Sequence, residues 1–158
     1  MKIMIVASLS FAKEMLVAKD VLEKLGHRAL FCEAVPHYSG RPETKDSFED
    51  ELKKAEEEGA LGDGFSKVAE SDAVLVLNYP KNNVAGYIGS SMLMEIGVAY
   101  FLNKKIYLLN PVGRDQKCAL EIALVKPVIL DGDINKIIYM NIWGIAYFLL
   151  FSILFAIG

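Results

Sequence analysis

Residues 73–77 form a short, uniformly apolar run, Ala73-Val-Leu-Val-Leu77. Such a run is typical of a strand that is covered on both faces of a sheet. Four further runs of strand length are separated by segments of helical character; they are Ile3–Ala7, Arg28–Cys32, Lys105–Leu109 and Val128–Leu130. Because parallel neighbours need crossover connections, this alternation predicts an α/β fold with a doubly wound, five-stranded parallel sheet.

The segments between the strands predict helices. Phe11–Leu25 has apolar residues near a 3.6-residue period and stops at Gly26, and further helices are predicted over Ser90–Leu102 and Ala119–Leu124. Doubly wound sheets bind ligands beyond the carboxyl ends of their strands, near the point where the strand order reverses. A site is therefore expected among three segments, which are Ser8–Phe11, Asn78–Ser91 and Asn110–Asp115.

Composition limits the classes of function. With 158 residues and a net charge of −3, the chain has the length of one domain and no cluster of Lys and Arg that predicts nucleic-acid binding. Cys32 and Cys118 have no metal or redox spacing, and neither His27 nor His37 belongs to a metal-binding pattern. We therefore expect no metal and no cofactor, and the cysteine usage fits the reducing cytoplasm.

The last 22 residues, 137–158, contain no charge, and 18 of them are apolar. As a helix they would extend about 33 Å, which is enough to cross a bilayer core of about 30 Å. We predict a domain over 1–136 and a hydrophobic tail over 137–158, a candidate transmembrane helix that anchors a cytoplasmic domain. A buried oligomerisation helix and an abnormal reading-frame end, appended to a domain that is complete by Asn135, are the alternatives.

Glu95 is the most informative single residue. It lies in Ser90-Ser-Met-Leu-Met-Glu-Ile-Gly-Val-Ala99, an otherwise apolar helix start that should pack against the sheet. A buried carboxylate is costly unless it is paired, and no Lys or Arg stands three or four residues away. No capping box accounts for it either, because Met92 stands where Ser or Thr would be needed. A catalytic role is therefore favoured, with the helix dipole as a partial structural explanation.

The loop before this helix has two glycines and two asparagines, Asn82-Asn-Val-Ala-Gly-Tyr-Ile-Gly89. Its backbone amides could approach a ligand closely, and Ser90 and Ser91 would then open the helix. This pattern predicts a cradle for sugar hydroxyls or a phosphate.

The segment Ser71–Pro111, above all its Glu-Ile-Gly-x-Ala helix after a glycine-containing loop, resembles the nucleoside 2-deoxyribosyltransferase family and the related 2'-deoxynucleoside 5'-monophosphate N-glycosidases. The resemblance extends over about residues 1–134. It implies a flavodoxin-like fold, a homodimer or larger assembly, and Glu95 as the nucleophile on C1' of the sugar. It also implies that Ser8–Phe11 helps to hold the sugar or its 5' substituent.

Cleavage of an N-glycosidic bond needs a second acid to protonate the leaving base. The resemblance points to Asp63, although Asp63 is one position out of register with the family pattern, while Asp72 is interpreted as a cap or turn residue. Tyr79 and Tyr87 are candidates for stacking on a base. The predicted substrate-binding residues are Ser8, Ser10, Phe11, Gly86, Tyr87, Gly89, Ser90 and Ser91.

The sequence thus predicts cleavage or transfer of an N-glycosidic bond in a nucleoside or nucleotide. Two alternatives remain open: a non-catalytic nucleotide-binding module, and a membrane-attached interaction domain of the same fold. The base, the preference for a 5' phosphate, and the choice between water and a base as acceptor are left open by the sequence.

Overall fold

The computed structural model describes residues 1–39, 47–57 and 59–137. One sheet contains five strands in the order β2-β1-β3-β4-β5, and every neighbouring pair is parallel. Its strands are β1 (Lys2–Val6), β2 (Arg28–Leu30), β3 (Ala73–Val76), β4 (Lys105–Leu108) and β5 (Val128–Ile129). The predicted doubly wound parallel sheet is confirmed, and the strand order is that of flavodoxin-like folds.

Six helices surround the sheet within the described residues. They are α1 (Ala12–Lys24), α2 (Val35–Tyr38), α3 (Phe48–Glu57), α4 (Ala60–Glu70), α5 (Ser90–Phe101) and α6 (Ala119–Val125). The predicted helices α1, α5 and α6 are present. The first starts at Ala12 and not at Phe11, because Leu9–Phe11 form a 3₁₀ turn ahead of it.

Alternate residues of the strands pack on opposite faces of the sheet. Ile3 and Ile5 belong to a core shared with α1, whereas Met4 and Val6 belong to a second core that includes Ile96 of α5. All five are at most 1% exposed. A strand buried on both faces has no polar alternation, which is why these strands appear in the sequence as continuous apolar runs.

Ile137, the first residue of the predicted tail, is fully buried in the core on the α1 side, which also contains Tyr107 and Leu130. Residues 138–158, the rest of that tail, lie outside the described residues. Among the described ranges, which end at residue 137, no helix is long and apolar enough to cross a membrane.

The strand order reverses between β1 and β3, which are neighbours at the centre of the sheet. The chain leaves β1 toward one side of the sheet and β3 toward the other, so the loops at their carboxyl ends diverge and leave a crevice. The loop after β1 and helix α5, which follows β3, meet at this crevice.

Candidate active site

A cavity of about 710 Å³ lies at the carboxyl edge of the sheet, between the loops after β1 and β2 and helices α4 and α5. Its volume lies in the range of small-molecule sites. Seven of the residues predicted for the site line it, which are Ser8, Asp63, Tyr87, Gly89, Ser90, Ser91 and Glu95. Three others, Ser10, Phe11 and Gly86, lie outside its lining.

The Glu95 side chain projects from α5 into this cavity and is only 9% exposed. Burial raises the pKa of its carboxyl group to about 7, because the charged form loses hydration. The negative charge of Asp63 raises this pKa further, while a hydrogen bond from Cys32 lowers it. The sequence predicts no helical ion pair for this carboxylate. In the structure, none of the ion pairs between described residues includes Glu95.

Cys32, which has no metal or redox spacing in the sequence, contacts Glu95. It follows β2 in the chain and its thiol donates a hydrogen bond to Oε1 of Glu95, with Sγ 3.9 Å from the oxygen. Burial, and then the charges of Glu95 and Asp63, raise the pKa of the thiol to about 12. Its position at the carboxyl end of a predicted strand was the signal that could have assigned it to the site.

Gly64 of α4 gives the Glu95 carboxyl group its room. A Cβ atom at Gly64 would lie 2.5 Å from Oε1 of Glu95 and 3.5 Å from Sγ of Cys32. Real Cβ atoms do not approach an oxygen so closely, so a side chain at this position would displace the end of the Glu95 side chain. A Cβ atom at Gly62, two residues earlier on the same helix, would have no other atom within 4 Å.

Asp63 lines the same cavity but has partners for both oxygens. Oδ2 accepts a hydrogen bond from the backbone N–H of Glu33 at 2.9 Å, and Oδ1 lies 3.3 Å from Nζ of Lys67. Asp63, the predicted acid, therefore lies at the site, and its hydrogen bond with Glu33 also attaches α4 to the loop after β2.

The first turn of α5 faces the cavity with backbone N–H groups and two hydroxyls. Gly89 precedes the helix in an extended conformation and its lack of a side chain leaves the α5 N-terminus without a side-chain cap. Ser90 and Ser91 follow it on the cavity wall. The ring of Tyr87 covers Gly89, since a Cβ there would lie 3.3 Å from ring atoms. An uncapped helix N-terminus of this kind attracts hydroxyl and anionic groups of a ligand.

Gly86 shapes the loop and does not line the cavity. Its φ is +60°, and a Cβ there would collide with the carbonyl oxygen of Pro111. The Gln116 side chain holds this part of the loop, donating to the carbonyl oxygens of Ala85 and Gly86 and accepting from the N–H of Ile88. Gly86 therefore sets the path of the chain toward α5.

The predicted residues of the loop after β1 lie in two different environments. Ser8 lines the cavity, and its hydroxyl lies 2.8 Å from that of Ser10, while Lys81 donates to both hydroxyls at 3.0 and 2.6 Å. Phe11 packs on Tyr79 with ring centroids 5.3 Å apart. Ser10 thus contacts Ser8 and Lys81, and Tyr79 contacts an aromatic neighbour and the core.

Besides Cys32, two ionisable residues of the cavity wall were not predicted, Glu33 and His37. His37 lies on α2, a four-residue helix that has no periodic pattern in the sequence. Asp72 is placed as the sequence analysis interprets it, because its Oδ2 accepts a hydrogen bond from the backbone N–H of Lys2 at 2.7 Å, away from the cavity lining.

Comparisons of the sequence with protein-family models and with curated proteins each find no match. Solved structures do match. A 2-deoxyribosyltransferase from Bacillus psychrosaccharolyticus aligns over 87% of this chain and 90% of its own, with 20% identity and a TM-score of 0.51. A conserved protein from Enterococcus faecalis aligns over 87% and 94%, with 15% identity and a TM-score of 0.51.

A CMP N-glycosidase from Clostridium botulinum aligns over 82% of this chain and 85% of its own, with 14% identity and a TM-score of 0.42. The two matches with a TM-score of 0.51 establish the fold, and the function has to be argued from the residues of the site. The chain has the nucleoside deoxyribosyltransferase-like fold.

Proposed function

We propose that this chain cleaves or transfers the N-glycosidic bond of a nucleoside or nucleotide, with Glu95 as the nucleophile. The observation that carries the proposal is the buried carboxyl group of Glu95 in the wall of a cavity of about 710 Å³. A carboxyl group without a cation in such a place is costly to the fold, and catalytic sites are where such groups are found.

The proposed reaction is a double displacement. The carboxylate of Glu95 attacks C1' as the bond from C1' to the base nitrogen breaks, and the bonding electrons leave with the base, which takes up a proton. The resulting glycosyl ester is then attacked at C1' by water or by a second base, which gives up a proton to the group that protonated the leaving base, and the carboxylate is released. Two inversions give net retention at C1'.

Asp63 is proposed as the group that delivers the proton to the leaving base. It stands on the wall of the same cavity, on the neighbouring helix α4. Its carboxyl group also contacts Lys67 and the N–H of Glu33, which fix its position on the wall. The Asp63→Asn variant keeps an acceptor for the N–H of Glu33 but has no acid to protonate the leaving base. Its loss of rate should therefore be large for poor leaving bases and small for good ones.

The remaining cavity residues are proposed to bind the sugar and its 5' substituent. Ser90, Ser91 and the first N–H groups of α5 present donors on one wall, and Ser8 presents a hydroxyl on another. Tyr87 offers an aromatic surface to the base. The cavity volume and this donor set suit a nucleoside or a nucleoside monophosphate. The resemblance also predicts a dimer or larger assembly, which sedimentation velocity would measure.

The test is a base-release assay on a panel of nucleosides and their 5'-monophosphates, with and without an acceptor base. We expect Glu95→Gln to abolish release and to retain binding. Release that is equal in the wild type and in Glu95→Gln would reject the proposal. A wild type that binds nucleotide without releasing base would be the non-catalytic module, and a wild type that shows no nucleotide-dependent thermal shift would be the interaction domain.

A further inference from the structure

We propose that Cys32 is a positioning residue for Glu95: its thiol and the bare Cα of Gly64 together hold Oε1 of the carboxyl group, so that Oε2 is the oxygen that attacks the substrate. This inference rests on the proposed role of Glu95 as the nucleophile. It adds to that role a residue from the loop after β2.

Two separate elements converge on Oε1. The thiol of Cys32 approaches from the loop after β2, with Sγ 3.9 Å from Oε1. Helix α4 is the second element, and the missing side chain of Gly64 leaves the space in which Oε1 lies. The carboxyl group cannot turn toward α4 without meeting its backbone, and it cannot leave the thiol without losing its hydrogen bond.

The two oxygens of Glu95 differ in their partners. Over the described residues, Cys32 is the protein hydrogen-bond donor to this side chain, and its bond is to Oε1. Oε2 therefore keeps its lone pairs for a ligand in the cavity that Glu95 lines. A nucleophile whose orientation is fixed through one oxygen attacks through the other with little loss of rotational entropy.

A thiol suits this task because it holds the carboxylate weakly. With its pKa raised to about 12, Cys32 stays protonated and remains a donor at neutral pH. Strong donors stabilise a carboxylate and lower its pKa, which also lowers its nucleophilicity, whereas S–H is a weak donor. Cys32 can thus orient Glu95 and leave the carboxylate reactive.

Other ionisable groups near Glu95 are few in the described part of the chain. Asp63 on α4 acts on it directly, and Lys67, also on α4, pairs with Asp63. Glu33 beside Cys32, His37 on α2 and Tyr87 before α5 line the same cavity. None of these is altered when Cys32 is replaced, so a change in the titration of Glu95 can be assigned to the thiol.

The experiment compares Cys32→Val, which removes the donor at similar volume, with Cys32→Ser, which retains one. Cys118→Val is the matched control, because Cys118 is the other free cysteine and lies outside the cavity lining. Full-length protein labelled with ¹³C-carboxyl glutamate reports the titration of Glu95, whose resonance is the one missing in Glu95→Gln. The pH profile of kcat/KM for base release is recorded in parallel.

In Cys32→Val we expect the titration midpoint of Glu95 to rise by about 0.5–1 unit and kcat/KM at pH 6 to fall about 3- to 10-fold. KM should change little, Cys32→Ser should restore most of the rate, and Cys118→Val should match the wild type. These changes would be those of a lost donor and not of a damaged fold.

A Cys32→Val titration and pH profile equal to those of the wild type would overturn the inference. So would a loss of thermal stability with an unshifted titration, since a merely structural cysteine would behave in that way. A wild-type chain that releases no base would instead reject the proposed function, and the Glu95 titration would still show whether the thiol acts on the carboxyl group.

Discussion

Oε1 of Glu95 lies 2.5 Å from the point where a Cβ atom on Gly64 would be. The two residues belong to different helices, α5 and α4, which pack side by side. The close approach means that one hydrogen atom on the α4 backbone, in place of a methyl group, decides where the carboxyl group can lie.

The first prediction compares two alanine substitutions on α4. Gly64→Ala should lower kcat by more than about tenfold, because the new methyl group displaces the Glu95 carboxyl group from its position. Gly62→Ala should leave kcat unchanged and raise the free energy of unfolding by about 0.5–1 kcal/mol, since Cβ has open space there and alanine favours the helix. Steady-state kinetics and urea unfolding measure both, and equal activity in the two variants would contradict this role of Gly64.

The second prediction concerns the pH dependence of activity. A nucleophilic Glu95 has to be ionised, and its pKa of about 7 means that about a tenth of it is charged at pH 6 and about nine tenths at pH 8. The value of kcat/KM should therefore rise about tenfold between these pH values and level off above them. A profile that is flat from pH 5 to 8 would show that Glu95 does not have this pKa or does not attack as a carboxylate.

The third prediction concerns stability. The folded pKa of Glu95, about 7, lies above the ordinary value of 4.5, so the folded state binds a proton more tightly than the unfolded state. The contribution of this group to stability is full below pH 4.5 and is lost as the pH rises through 7. Glu95→Gln, which cannot ionise, should gain stability over the wild type by roughly 3 kcal/mol across this range. Urea unfolding at pH 4.5 and pH 8 tests the sign, and a smaller advantage at pH 8 than at pH 4.5 would contradict it.

The fourth prediction concerns the pair Asn78 and Asn110 at the carboxyl ends of β3 and β4. Asn78 is fully buried; it donates to the carbonyl oxygen of Asn110 at 2.7 Å and accepts from its N–H at 2.8 Å. Asn78→Ala should cost about 1–3 kcal/mol because it leaves these backbone groups unpaired. Asn135→Ala, at an exposed position, should change stability by less than about 0.5 kcal/mol. Equal unfolding midpoints for the two variants would be evidence against this role of Asn78.

The fifth prediction uses Ile137 to separate core from tail. Ile137→Ala should cost about 2–5 kcal/mol because the residue is fully buried, whereas Leu124→Ala, at a position 64% exposed, should change little. A chain shortened to test the tail should therefore keep Ile137. If residues 138–158 anchor the protein, the full chain sediments with membranes and the 1–137 chain remains in the supernatant; the same distribution for both would reject the anchor.

The strands could be predicted because the central strands β1, β3 and β4 are buried on both faces and need only local apolar residues. Helix α4 is harder to predict from the sequence, since Gly62 and Gly64 lower its intrinsic helical propensity. Gly64 is explained only by its neighbour Glu95, which is distant in sequence and close in space. Local patterns contain no such information.

The site residues show the same division. Glu95 could be proposed from sequence because a charge in an apolar helix start violates a local rule. Cys32 violates no local rule, and its contact with Glu95 arises only from the fold. Phe11 and Ser10 are predicted to bind the substrate, and the structure places them beside Tyr79 and Lys81.

The cavity lining is assembled from segments that are far apart along the chain, with Ser8, Cys32, Asp63 and Glu95 each following or preceding a different strand. No contiguous fragment contains the whole set, so the site can form only after strands β1 and β3 have paired at the centre of the sheet. Such long-range pairings form late and cooperatively. The complete cavity should therefore appear only in the last kinetic phase of refolding, after helical signals have already recovered.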